Sequence, residues 1–117
     1  MIAPRSLDLV TRQAVSLGGI RRADAHAGDW IVVDTRNSSY RILCLGDGQY
    51  CVLGGWFDLR GLSPATITIR GCTWGGSAIY TDLIAAPCLF LEFGNDVVTT
   101  RIQRVRLLRS VESRQLN

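Results

Sequence analysis

From Asp29 onward, apolar residues return at every second position in short runs, and each run is cut by glycine, proline, asparagine or aspartate. A period of two sends alternate side chains to opposite faces of an extended strand. Trp30–Thr35, Ser39–Leu45, Gln49–Leu53, Ala65–Arg70, Ala78–Ile84 and Cys88–Phe93 read as strands on this rule. Val97–Leu108 reads as one last strand, or two joined by a bulge, because its apolar phase shifts between Ile102 and Val105. Gly46-Asp47-Gly48 and Gly94-Asn95-Asp96 supply hairpin turns, Gly71–Ser77 is a glycine-rich turn, and Asp58–Pro64 reads as a surface loop. No helix is long enough for a βαβ crossover. The expected fold is therefore all-β, a small antiparallel barrel or sandwich of about six to eight strands.

Residues 1–28 follow another rhythm. Leu7, Val10, Ala14 and Leu17 keep a helical spacing, with Ser6 as an N-cap and Gly18-Gly19 as a stop, and 21–28 read as a polar, alanine-rich linker. The expected organisation is a short helical or disordered leader over 1–28, a β-domain over 29–110 and a tail over 111–117. A chain of 117 residues with 47% hydrophobic content can bury a core without disulfides or metal and is too apolar for a disordered class. No apolar run approaches the roughly 18 residues that cross a bilayer. Met1–Val10 lacks the basic start and apolar stretch of a signal peptide. A cytoplasmic location with no membrane partner is the expectation.

All thirteen basic residues are arginine, and the net charge is +3. Either arginine serves for bidentate contacts to phosphate or carboxylate, or the bias reflects codon use in a GC-rich genome. Arg101, Arg104, Arg106, Arg109 and Arg114 cluster near the end of the chain, opposed only by Glu112. They would grip phosphates or guard an edge strand. The net charge is weak for a nucleic-acid binder. Four cysteines, Cys44, Cys51, Cys72 and Cys88, show no C-x-x-C spacing and no neighbouring histidine, so no zinc and no cofactor are expected. They read as core residues, although a turn centred on Gly46–Gly48 would set Cys44 opposite Cys51 at a disulfide distance. The single histidine, His26, lies in the linker, and no complete catalytic set is visible, so an enzyme is not the expectation. Glu92, alone among apolar neighbours, is expected to pair with an arginine from an adjacent strand, such as Arg36 or Arg41.

The stretch Thr35-Arg36-Asn37-Ser38-Ser39 joins two apolar runs without any glycine. As a turn it must be held by side chains bonding to the backbone. As a site it offers Thr35, Arg36, Asn37, Ser38 and Tyr40, joined by Arg101, Arg104 and Arg106 from the last strand and by Trp74. That set suits an anionic small ligand such as a nucleotide. Trp30, Trp56 and Trp74 sit at strand ends or in loops, where they stack on a base or form subunit contacts.

Thr35-Arg36-Asn37-Ser38-Ser39-Tyr40, Gly54-Gly55-Trp56-Phe57, Gly75-Gly76-Ser77, Leu91-Glu92-Phe93 and Val98-Thr99-Thr100 occur in this order over about residues 30 to 105. The pattern resembles a family of small bacterial all-β domains without an assigned activity, which implies a fold and no mechanism. Thr35, Asn37, Ser38 and Tyr40 alone carry a looser similarity to short phage β-proteins. Some proteins of that kind sequester cyclic-nucleotide or ADP-ribose immune signals of the host. The functional expectation is a non-catalytic β-domain, a homo-oligomer that binds an anionic small ligand. The alternatives are a phage-type sponge for immune signals and a structural or protein-interaction module.

Overall fold

The computed structural model describes residues 18–76 and 78–110. The helical spacing at Ser6–Leu17 and the tail with Glu112 and Arg114 lie outside the described residues. Among the described residues ten antiparallel strands follow one another: β1 (Ile20–Arg21), β2 (Trp30–Thr35), β3 (Ser39–Gly46), β4 (Gln49–Gly54), β5 (Ala65–Ile67), β6 (Ile69–Thr73), β7 (Ile79–Tyr80), β8 (Leu83–Ala85), β9 (Phe90–Phe93) and β10 (Ile102–Leu108). A five-residue helix, α1 (Gly55–Leu59), stands between β4 and β5, where the sequence suggested only the start of a loop. The strands form a five-stranded sheet β10-β2-β3-β4-β5, a three-stranded sheet β7-β6-β9 and the pair β1-β8. The sheets remain open, so the architecture is sandwich-like and not a closed barrel.

The inward residues of the large sheet are Ile31 and Val33 on β2, Ile42 and Cys44 on β3, and Tyr50 and Val52 on β4, all buried. They join Cys72, Leu83, Ile84, Leu91 and Phe93 in one core. The alternation that identified these strands is thus the alternation of burial. Phe57 of α1 enters the same core, with its ring 5.0 Å from Phe93 and edge-on to it. The close approach of α1 depends on Gly55: its φ is 49°, and a Cβ there would fall 2.2 Å from Cζ of Tyr40. Among the described residues, no helix is long and apolar enough to cross a membrane.

Register explains two departures from expectation. Gly46 pairs with Gln49, then an irregularity moves the register so that Cys44 faces Tyr50 and Leu43 faces Cys51. A slip of one residue turns side chains to the other face. Cys44 therefore points into the core while Cys51 lies on the opposite face, and all four cysteines are free. Glu92 pairs with an arginine of an adjacent strand as expected, but that residue is Arg70 of β6 at 3.0 Å and not Arg36 or Arg41, because β9 is bonded to β6 and lies outside the large sheet. By contrast, the expected bulge in the last strand is present: Ile102 faces Thr35 and Arg104 faces Asp34, which leaves Gln103 as the extra residue.

Residues 20–28, expected as leader and linker, are laid against the fold. Ile20 is buried opposite Ala85. Arg22 ties separate layers together: its guanidinium donates to the Tyr50 hydroxyl at 3.2 Å and to the carbonyls of Thr81 and Ile69 at 3.0 Å each. Asp29 is fully buried and accepts from the backbone N–H of His26 and of Ser110 and from Arg109 Nη1, at 2.9 to 3.0 Å. This clamp fastens the end of β10 to the start of β2.

Burial pushes the Asp29 carboxyl up, but the two backbone N–H groups and Arg109 outweigh it and hold its pKa below the ordinary value. A depressed folded pKa stabilises fully above the unfolded-state value of about 4, and the gain is lost as pH falls through the lower folded value. Asp29→Asn should therefore cost about 2–3 kcal/mol at neutral pH, by removing charge-assisted hydrogen bonds. The gap in unfolding free energy between wild type and variant should shrink at about pH 3. Denaturant melts at both pH values check this, and a gap independent of pH would contradict it.

Candidate functional site

The turn between β2 and β3 is closed from within. Thr35 is buried; its Oγ1 donates to the Ser38 carbonyl at 3.1 Å and accepts from the Ser38 N–H at 3.1 Å. The Thr35 N–H donates to the same carbonyl at 2.7 Å. One hydroxyl thus supplies the backbone bonding that a glycine turn obtains from positive φ. The two residues between, Arg36 and Asn37, are exposed.

That turn abuts the segment leading into β10. The Arg36 N–H donates to the Arg101 carbonyl at 3.0 Å, and the Asn37 N–H reaches Thr100 Oγ1 at 3.4 Å. Thr99 anchors this segment to β9, since its Oγ1 accepts from the Leu91 N–H at 3.1 Å. The Arg101 guanidinium lies over the Phe90 ring, 4.8 Å from its centroid, and donates to the Cys88 carbonyl at 2.8 Å. Between these parts opens a cleft of about 470 Å³ lined by Arg36, Asn37, Phe90, Thr100, Arg101 and Gln103. It lies where the five-stranded sheet, through the β2–β3 turn and β10, meets the start of β9 in the three-stranded sheet.

The lining contains two guanidiniums, two carboxamides, a hydroxyl and an aromatic face, and no carboxylate. Neither Arg36 nor Arg101 is ion-paired to a carboxylate among the described residues. The cleft therefore presents hydrogen-bond donors and positive charge that no carboxylate answers, with one of its guanidiniums stacked on the ring. Among the described residues, no group of three or more His, Cys, Asp or Glu side chains gathers to hold a metal ion. The buried thiols are poor nucleophiles, for burial pushes Cys44 up to about 11 and Cys72 up to about 12.

Of the nine residues singled out from sequence, the cleft gathers Arg36, Asn37 and Arg101. Thr35 and Ser38 build the turn that carries the first two. Tyr40 is a core residue: it is buried against Phe57 and Phe93, and its hydroxyl accepts from the Trp56 N–H at 3.1 Å. Arg104 and Arg106 share a strand face, but both turn to Asp34, at 3.1 and 3.6 Å, on the outer face of the sheet. Asp34 also accepts from Ser39 Oγ at 2.7 Å; that bond and the two guanidiniums hold its carboxyl below the usual range. Trp74 donates from Nε1 to the Tyr80 hydroxyl at 2.9 Å and does not line the cleft.

Sequence reasoning passed over Phe90, Thr100 and Gln103. The alternation in Cys88–Phe93 did carry a signal, because it sets Phe90 with Glu92 on the face away from buried Leu91 and Phe93.

Because Ser38 contributes to the turn through its backbone alone, Thr35→Val should destabilise by about 1–2 kcal/mol, whereas Ser38→Ala should stay within about 0.5 kcal/mol of wild type. Urea melts of the two variants check this, and equal losses would refute the turn's construction. The chain matches no protein-family model, no curated protein and no solved structure.

Proposed function

We propose that the protein acts by binding, and that the cleft between the β2–β3 turn and the Thr100–Gln103 segment takes a small anionic ligand with a planar group, of which a nucleotide is the natural example. The observation that carries this reading is the meeting of Arg36 and Arg101, with no carboxylate between them, beside the Phe90 ring. Guanidiniums match the geometry and charge of a phosphate, while Asn37, Thr100 and Gln103 supply hydrogen bonds that fix orientation. The Arg101 guanidinium, itself stacked on the Phe90 ring, is a planar group that suits stacking of a base. An opening of this size accommodates a ligand of a few hundred Å³.

Within this reading, sequestration of a cyclic-nucleotide or ADP-ribose signal is the role implied by the looser phage similarity. It would use the same cleft chemistry without any catalytic group.

Titration calorimetry with adenosine monophosphate, adenosine and inorganic phosphate separates the contributions. Adenosine monophosphate should bind, and removing its phosphate should weaken binding at least tenfold. Arg36→Ala and Arg101→Ala should each lower affinity at least tenfold; exposed Arg36 should leave the melting curve in place, whereas Arg101→Ala also gives up the bond to the Cys88 carbonyl and the contact with Phe90, a loss of about 1 kcal/mol. Arg104→Ala, whose partner is Asp34, should bind within twofold of wild type. Unchanged affinity in both cleft variants, or adenosine binding as tightly as its monophosphate, would overturn the proposal.

A further inference from the structure

Buried Thr73 closes the turn that leaves β6 much as Thr35 closes the β2–β3 turn. Its Oγ1 accepts from the Gly75 N–H at 3.0 Å and donates to the Gly76 carbonyl at 3.3 Å. Both turns reach the stack of Arg101 on Phe90. The first brings Arg36 and Asn37 to the cleft. The second sets Gly75, at φ 107°, so close to the Phe90 ring that a Cβ there would lie 3.3 Å from Cε2. Thr73 pairs with Phe90 across β6 and β9, so the Cα of Trp74, one residue on, lies within about 9 Å of the Cα of Phe90.

Trp74 is 48% exposed and yet held in place, because its Nε1 donates to the Tyr80 hydroxyl at 2.9 Å. None of the ring–ring or cation–π contacts among the described residues involves this indole. Tyr40, Phe57 and Phe93, by contrast, pack on one another in the core. Between Trp74 and the cleft stand Gly75 and Gly76, both exposed, and a Cβ at Gly76 would meet nothing within 4 Å. The crest of the turn is therefore bare of side chains between the indole and the Arg101 guanidinium. Single-strand binders combine planar side chains on which successive bases stack with cations that meet the backbone.

We infer that the ligand is a dinucleotide unit, two bases joined by a phosphodiester, which crosses the Gly75–Gly76 crest with one base on the Arg101 guanidinium and the next on Trp74. This rests on the nucleotide reading of the cleft and adds a second base to it. Arg36 and Arg101 meet the phosphate on the cleft side, and Trp74 supplies a planar face without charge, so the second base adds affinity by stacking. Both bases must be unpaired to offer their faces, which excludes a duplex. A free linear dinucleotide and a stretch of single-stranded nucleic acid share this chemistry.

Titration calorimetry of the full chain with 5′-phosphorylated linear diadenylate, set beside adenosine monophosphate, tests this. Diadenylate should bind at least tenfold more tightly than the monophosphate. Trp74→Leu should remove that gain and leave the affinity for the monophosphate within twofold of wild type. Trp74→Phe, which keeps a stacking face but loses the bond to Tyr80, should retain most of the gain. A tetra-adenylate without a 5′-phosphate separates the two sources: affinity equal to that of diadenylate identifies a single strand, and weaker binding identifies the free dinucleotide. Diadenylate binding no tighter than the monophosphate, or a gain that survives Trp74→Leu, would overturn the second base while leaving the cleft reading intact. If the monophosphate itself fails to bind, the cleft reading falls and the second base falls with it.

Discussion

The hydroxyl of Thr35 closes the β2–β3 turn, and the cleft follows from that closure. With Thr35 Oγ1 bonded in both directions to the backbone of Ser38, the turn needs neither glycine nor the side chains at its tip. Arg36 and Asn37 are thereby left for the cleft, while their backbone N–H groups dock the turn against Arg101 and Thr100. The β10 bulge at Gln103 completes the arrangement, since it changes the phase of the strand between Ile102, which faces the core, and Arg104, which faces Asp34. Side chains with two separate tasks can then come from one strand.

The arginines divide accordingly. Arg22, Arg70 and Arg109 meet carbonyls, a hydroxyl or carboxylates: Arg22 joins the sheets, Arg70 braces β6 against β9 and its turn, and Arg109 fastens the end of β10 to Asp24 and Asp29. Arg104 and Arg106 share Asp34. Such exposed pairs contribute little to stability, about 0–1 kcal/mol each, but they decide where positive charge is already answered. Arg36 and Arg101 in the cleft and Arg41 on the outer face are not answered by a carboxylate among the described residues. A chain whose basic side chains are all arginine thus uses one group both for scaffolding and for the positive charge that the proposed binding reading relies on, and only geometry tells the two apart.

Much of the fold was legible from local pattern. The alternation at Trp30–Thr35 and Ser39–Leu45 and the phase shift before Val105 reflect which residues can face a core, and this is a local property. The break of Ala65–Arg70 into β5 and β6, the partner of Glu92 and the one-residue register slip that separates Cys44 from Cys51 were not legible. Each depends on which strands pair, and pairing joins residues far apart in sequence. The same limit governs the cleft. Arg36 and Asn37 stood out because a glycine-free turn needs an explanation. Phe90 and Gln103 became significant only once β9 and β10 were set beside that turn. Arg104 and Tyr40 drew attention for their chemistry, and packing assigned them elsewhere.

The most direct test of the binding account is a nuclear magnetic resonance titration of the 15N-labelled protein with adenosine monophosphate. The account predicts saturable shifts concentrated at the amides of Arg36, Asn37, Thr100, Arg101 and Gln103, with those of Arg41, Leu43 and Arg106 on the outer face unmoved. Shifts centred on Arg104 and Arg106 instead, or no saturable shift at millimolar ligand, would contradict it.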